Sequence, residues 1–397
     1  MNYISKKIKK QLTHSSWIRK MFETGNELKQ KFGADNVYDF SLGNPDAPPP
    51  EAFFEYYSKL CSERKPENHS YMPNAGYADI RQKLAVRLSD IYAKRISPNN
   101  LIMTSGAAGA INIALKSILN KNDEVILIAP YFAEYIFYVD NHNGQIEIAD
   151  STKDFDIDIS NIEKSISNKT AAIIINSPNN PTGKIYSESN LIQLADLLKK
   201  HSKINGRPIY IISDEPYRNI VYGDKPIPSI LNIYPDSIIV NSYSKELSLP
   251  GERIGYALIN PDCEGKQELF DAMVMCNRVL GFVNASATMQ RVVGTLVYES
   301  AVQVDKILYE RRRNMLYEYL TSVGYEIYKP EGAFYLFVKS PIDDDVKFKD
   351  ILLKQNILAV PGTGFGRSGY FRLAYCVGEK TILGSFPGFK KALEKAK

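Results

Sequence analysis

Five short apolar runs, EVILIAP, TAAIIINSP, PIYIISDEP, SIIVNSYS and RIGYALIN, constrain this chain more than any other feature. Each is a brief block of apolar and β-branched residues closed by a turn signal, as expected of a parallel strand buried on both faces. Between them lie stretches of helical periodicity, AAGAINIALKSIL, YFAEYIFYVDN and SESNLIQLADLLKKHS, the last opening on a serine placed as an N-cap. The alternation predicts an α/β fold, a mainly parallel sheet sandwiched by helices, because parallel neighbours need crossovers and right-handed crossovers cover the sheet.

Beyond about residue 285 the pattern changes to long charged helices, QVDKILYERRRNMLYEYLTSVG, and two strand candidates, AFYLFVK and YFRLAYCV. That change predicts a second, smaller α+β domain. A chain of 397 residues with 44% hydrophobic content has the length and core material for both. The balance of 49 basic to 45 acidic residues, a net charge of +4, is too slight to point to nucleic acid or an anionic membrane. Cys61, Cys263, Cys276 and Cys376 show no metal-site spacing, which suits a reducing compartment. The basic N-terminal stretch MNYISKKIKKQLTHSSW lacks the apolar segment of a signal peptide, and no run reaches membrane-spanning length, so a cytoplasmic protein is expected.

In such a sheet, ligands gather beyond the carboxyl ends of the strands. After NLIMT comes SGAAGAINIAL, where Gly106, Ala107 and Ala108 open a helix with unpaired N–H groups. This is an anion site by construction, although a tight strand-to-helix turn would use the same small residues. SPNNPTG presents Asn180, DEPY presents Asp214 and Tyr217, and Phe132 follows EVILIAP as either core or a flat lid. Alone, Asp214 reads as a helix cap rather than a functional group. Finally, NSYSKELSLPGERIGY sets Lys245 among Ser242 and Ser244 with Arg253 downstream. A lysine among small hydroxyl residues suits a Schiff-base nucleophile, and the serines and arginine suit a phosphate. Taken together, these parts match one cofactor, pyridoxal phosphate, which has a phosphate, an aldehyde, a basic ring nitrogen, a ring oxygen and a flat face.

The motifs SLGNPD, HSYMPNAGYADIR, SGAAGAINIAL, PYF, NSPNNPTG, SDEPY, SYSK with its following arginine, PEGAFY and FRLAYC also stand in the order of a known family. Through them the chain resembles the fold-type I pyridoxal-phosphate enzymes, specifically the class I and II aminotransferases of the aspartate aminotransferase type. The resemblance implies that Lys245 binds the cofactor aldehyde and shuttles a proton, and that Asp214 pairs with the ring nitrogen. Asn180 and Tyr217 would hydrogen-bond the ring oxygen while Phe132 stacks on the ring. Gly106, Ala107, Ala108, Ser242, Ser244 and Arg253 would form the phosphate cup. Tyr71 would reach across a homodimer interface to the partner's phosphate, giving shared active sites. Arg372 would grip the α-carboxylate, with Gly43 and Asn180 lining the same pocket. The domains it implies are residues 46–285 as the large cofactor-binding unit and residues 1–45 with 286–397 as the small one.

Specificity stays open among acidic, aromatic and small apolar amino acids. Ala108 stands where one branch of the family carries a lysine, and Arg278, ahead of Asn284, is a candidate reader of a distal carboxylate or a surface ion-pair residue. The expected activity is transfer of an amino group between an L-amino acid and a 2-oxo acid. A lyase or synthase on the same fold is the alternative, and a non-catalytic cofactor-binding sensor a further one.

Overall fold

The structure is a computed structural model describing residues 3–13, 17–223, 225–299 and 305–396. Its strands are β1 (Tyr38–Asp39), β2 (Leu101–Thr104), β3 (Glu124–Ala129), β4 (Gln145–Asp150), β5 (Thr170–Asn176), β6 (Tyr210–Asp214), β7 (Ser237–Ser242) and β8 (Gly255–Ile259). These are followed by β9 (Tyr335–Lys339), β10 (Ile357–Leu358), β11 (Val360–Pro361) and β12 (Tyr370–Ala374). Seven of them form one sheet in the order β2-β8-β7-β6-β5-β3-β4. The run β7-β6-β5-β3-β4 is parallel throughout.

Alternation along each strand sends side chains into two separate cores. Ile126, Ile128, Ile173, Ile175 and Ile211 pack on one face, with helices Ala78–Tyr92 and Glu188–Asn205. Val125, Leu127, Ile174, Ile212 and Val240 pack on the other, with helices Gly106–Ile118 and Lys266–Val279. Every residue of β5 is buried, as a central parallel strand requires. Ser187 caps helix Glu188–Asn205 by accepting from the Asn190 N–H, as the sequence implied, and Gly206 ends that helix in the left-handed region.

Two expectations need correction. RIGYALIN, read as a parallel strand, is β8, which runs antiparallel to both neighbours. The helix read from YFAEYIFYVDN begins only at Tyr135, because Tyr131–Glu134 turn away from the end of β3. An antiparallel β8 sets Gly255 opposite both Thr104 and Ser242. Arg253, just ahead of β8, therefore lies at the sheet edge where the parallel strands end. Had β8 been parallel, Arg253 would sit at the far edge.

A smaller three-stranded antiparallel sheet, β11-β12-β9, carries its own core of Phe334, Leu336, Phe348, Phe371, Leu373 and Phe389. The N-terminal segment joins it: β1 pairs in parallel with β10, and Met21 packs with Phe337, Val360 and Phe365. Helix Ala287–Tyr298, although past the change of pattern near residue 285, packs its Met289, Val292, Val293 and Leu296 into the large-sheet core.

Candidate active site

The loops that leave the carboxyl ends of β2, β3, β5, β6 and β7 meet the small sheet across a cleft of about 300 Å³. Its lining includes Gly43, Ala107, Ala108, Phe132, Asn180 and Asp214, and with them Tyr217, Ser242, Ser244, Lys245, Arg253 and Arg372. Gly106 sits just outside that lining with φ 70°, where an added Cβ would come within 2.8 Å of Arg253 Nη2. Its lack of a side chain lets the guanidinium lie against the helix N-terminus. Tyr71 and Arg278 are not in the cleft.

Lys245 donates to the Gly43 carbonyl at 2.6 Å. Burial, and then the Arg372 and Arg253 cations, push its ammonium down to about 8, while Cys376 and Asp214 oppose the shift. Asp214 ends β6, with Oδ2 accepting from Tyr135 Oη at 2.6 Å and Oδ1 buried without a partner. Burial pushes this carboxyl up to about 7, against the Tyr135 hydrogen bond and the Lys245 charge. A buried carboxylate oxygen that lacks a donor is a position for a cation or an N–H group.

Arg372 is 1% exposed and forms no ion pair among the described residues. Its Nη1 donates to Asn180 Oδ1 at 3.0 Å, its Nη2 donates to the Ser41 carbonyl, and its Nε has no partner. The guanidinium also lies over the rings of Tyr335 at 4.6 Å and Phe365 at 4.9 Å. Burial lowers its affinity for a proton, so an entering carboxylate would relieve an unpaired buried charge. Gly43 faces the same space, where a Cβ would fall 2.0 Å from the Tyr335 hydroxyl.

At the opposite end, helix Gly106–Ile118 aims its first N–H groups into the cleft beside Arg253 and the Ser242 and Ser244 hydroxyls. Asn180 is held by its N–H donating to Asn176 Oδ1 at 2.6 Å. Tyr217 and Tyr335 share a hydrogen bond at 2.7 Å, and Phe132 packs edge-on to Tyr135 at 5.5 Å. These features fit a planar, phosphate-bearing pyridine aldehyde: an anion cradle, an orphaned carboxylate oxygen, a depressed lysine and an aromatic wall stand around one cavity.

Several contributors escaped the sequence reading. Tyr135 and Tyr138, inside YFAEYIFYVDN, read only as helix, although Tyr135 follows Phe132 at one-turn spacing. Tyr335 read only as strand, and Asn176, whose Nδ2 donates to the Asp214 carbonyl at 2.7 Å, only as the last residue of an apolar run. Ile18 and Leu42 bring the N-terminal segment to the cleft, which no local pattern announced.

Tyr71 projects from its loop at 94% exposure. The loop itself is pinned to the segment carrying Asn284, by Asn74 Nδ2 to the Val283 carbonyl and Asn284 Nδ2 to the Pro73 carbonyl, both at 2.9 Å. Arg278 is exposed near the end of helix Lys266–Val279.

Comparison with known proteins agrees with this geometry. The family described as aminotransferase class I and II matches residues 35–383. A probable aspartate/prephenate aminotransferase of Aquifex aeolicus is 31% identical, over 93% of this chain and 93% of that protein. An amino transferase of Eubacterium rectale has a structure similar at a TM-score of 0.95, with 38% identity over 100% of both chains. The aspartate aminotransferase of Thermus thermophilus with maleate gives a TM-score of 0.86 at 26% identity, over 99% of this chain and 100% of that one. Members of the matched family use pyridoxal phosphate, and the relatives favour transamination over the lyase or synthase alternative. The chain is a member of the class I and II aminotransferases.

Proposed function

We propose that this cleft moves an amino group between an L-amino acid and a 2-oxo acid, with Lys245 as the covalent anchor of pyridoxal phosphate and Arg372 as the carboxylate grip. The observation that carries the assignment is a lysine held down to about 8 in the same cleft as a buried guanidinium with no acid partner among the described residues. When bound, the cofactor supplies an aldehyde to receive the amino group and a protonated ring to accept the electron pair left by the substrate's α-proton.

This chain's residues do the rest. Asp214 Oδ1, buried without a partner, would accept from the ring N–H, with Tyr135 fixing the other oxygen. An adjacent cation would draw that carboxyl back down from about 7, keeping it ionised. Asn180 and Tyr217 would donate to the ring oxygen, and Phe132 would cover a ring face. Ser242, Ser244, Arg253 and the N–H groups of Ala107 and Ala108 would hold the phosphate, with Gly106 making room. Arg372 takes the α-carboxylate beside Gly43, whose missing side chain leaves room for the Tyr335 hydroxyl. Lys245, its pKa lowered by burial and set free when the incoming amine takes its place on the aldehyde, would take the α-proton and return it elsewhere. Negative groups at Arg372 and Arg253 offset the two cations that depress Lys245, raising its basicity when it must hold that proton.

With alanine at 108, the cations of this chain that line the cleft, among the described residues, are Lys245, Arg253 and Arg372. In this proposal a distal carboxylate is read by Arg278 of a second copy. A test of the activity itself is a single-turnover assay. Holoenzyme mixed with one amino acid and no acceptor should release one equivalent of 2-oxo acid, with the cofactor left in its amine form. Release of ammonia instead would establish lyase chemistry.

We read the enzyme as a homodimer with shared sites, a division into a small unit containing residues 1–45 and a large unit extending through helix Ala287–Tyr298, and a cytoplasmic location suited to four free cysteines. Support for the dimer is the almost fully exposed aromatic ring of Tyr71 on a pinned loop. Mixed dimers of inactive Lys245→Ala and inactive Tyr71→Ala chains should recover part of the activity, measured after co-refolding. No recovery with mixed dimers present would place each site within one chain.

A further inference from the structure

Behind the Lys245 loop lies a second cavity of about 240 Å³ that the chemistry above does not use. The loop has two faces. Ser242, Ser244 and Lys245 line the cofactor cleft, whereas Tyr243, Glu246 and Leu247 line the second cavity. Helix Ala78–Tyr92, the end of helix Ala287–Tyr298 and Lys306 close it from the other sides.

Its wall has two characters. Leu88, Ile91, Leu296 and Val297 give an apolar floor. Arg87 and Lys306 bring two cations that pair with no acid among the described residues. A third cation, Arg218, is already satisfied by Glu215 at 2.9 Å and lies over the Tyr92 ring at 4.5 Å. Glu246 accepts a hydrogen bond from Asn219, and burial pushes its carboxyl up to about 7 against that bond and the Arg87 charge. Tyr243 is 2% exposed, and its hydroxyl has no partner. Buried hydroxyls normally find one. An orphaned O–H donor with two unpaired cations above an apolar floor is a donor set for a carboxylate that carries an apolar body.

We propose that this cavity is a second binding site, taking a small organic carboxylate with an apolar body on the face of the Lys245 loop opposite the cofactor. The carboxylate meets Arg87, Lys306 and the Tyr243 hydroxyl, and the apolar body lies against Leu88, Ile91 and Leu296.

The test is titration of holoenzyme with 4-fluorophenylacetate, followed by fluorine NMR, in the wild type and in Arg87→Gln and Tyr243→Phe. Arg87 is only half-buried on its helix, so that variant should fold and, without probe, turn over normally. Binding is expected to weaken about tenfold in Arg87→Gln and about threefold in Tyr243→Phe, in line with loss of a charged and a neutral hydrogen bond. 4-Fluorotoluene, lacking the carboxylate, should bind far more weakly. No binding to the wild type overturns the proposal. Equal affinity in all three proteins overturns it too, since the probe would then sit at Arg372 in the cleft. 4-Fluorotoluene binding as tightly as the acid overturns the carboxylate assignment, and displacement of the probe by inorganic phosphate at equal concentration overturns the apolar one.

Discussion

Lys245→Ala protein is expected to lose turnover by roughly four orders of magnitude, the upper range for removing a positioned proton-transfer group, while still retaining the cofactor without a covalent link. The reasons are local. The amine is the basic group of the cleft held near neutrality, through burial and the Arg372 and Arg253 cations. The residues assigned to the phosphate, Ser242, Ser244, Arg253, Ala107 and Ala108, are untouched by the substitution. Steady-state turnover and the cofactor-to-protein ratio after gel filtration check both halves. Turnover within tenfold of the wild type would mean that another base moves the α-proton.

Arg372→Lys should lower kcat/KM for every amino acid substrate by an amount equivalent to roughly 2–5 kcal/mol, the cost of breaking a buried charge pair. A factor between about 30 and several thousand follows, at roughly 1.4 kcal/mol per tenfold. Lysine retains the charge but offers no planar fork, and in a pocket 1% exposed it could not keep both the Asn180 and Ser41 contacts while receiving a carboxylate. Cofactor content should be unchanged, since Arg253 and the serines lie at the other end of the cleft. A kcat/KM within threefold of wild type would move the carboxylate grip elsewhere.

Much of the site was legible in the sequence because its groups sit at the carboxyl ends of strands, and strand ends are where local pattern is sharpest. Asp214 closes the run IYIIS, and Lys245 follows SIIVNSYS by a short turn, so each position could be placed from its own neighbourhood. What stayed hidden depends on contacts between distant segments. The direction of β8 is set by pairing with β2 and β7, and no feature of RIGYALIN distinguishes an antiparallel strand from a parallel one when both faces are buried. β4, with the sequence QIEIAD, is a largely exposed edge strand whose alternating polar and apolar residues lack the continuous apolar signal of its neighbours. Tyr135 donates to Asp214 and Tyr335 shares a hydrogen bond with Tyr217 across the fold, so an aromatic that reads as core from spacing proves to be a hydrogen-bonding group. Helix Ala287–Tyr298 looked like the start of the smaller domain by position, but its apolar stripe matches helix Ala78–Tyr92 on the large sheet.

Borohydride reduction of the holoenzyme, followed by digestion and peptide mapping, addresses the covalent anchor most directly. The expected result is one modified peptide carrying the reduced cofactor on Lys245 and no label elsewhere in the chain. A label on any other lysine, or a holoenzyme that borohydride leaves unmodified, would contradict the assignment of Lys245 and with it the proton path drawn through this cleft.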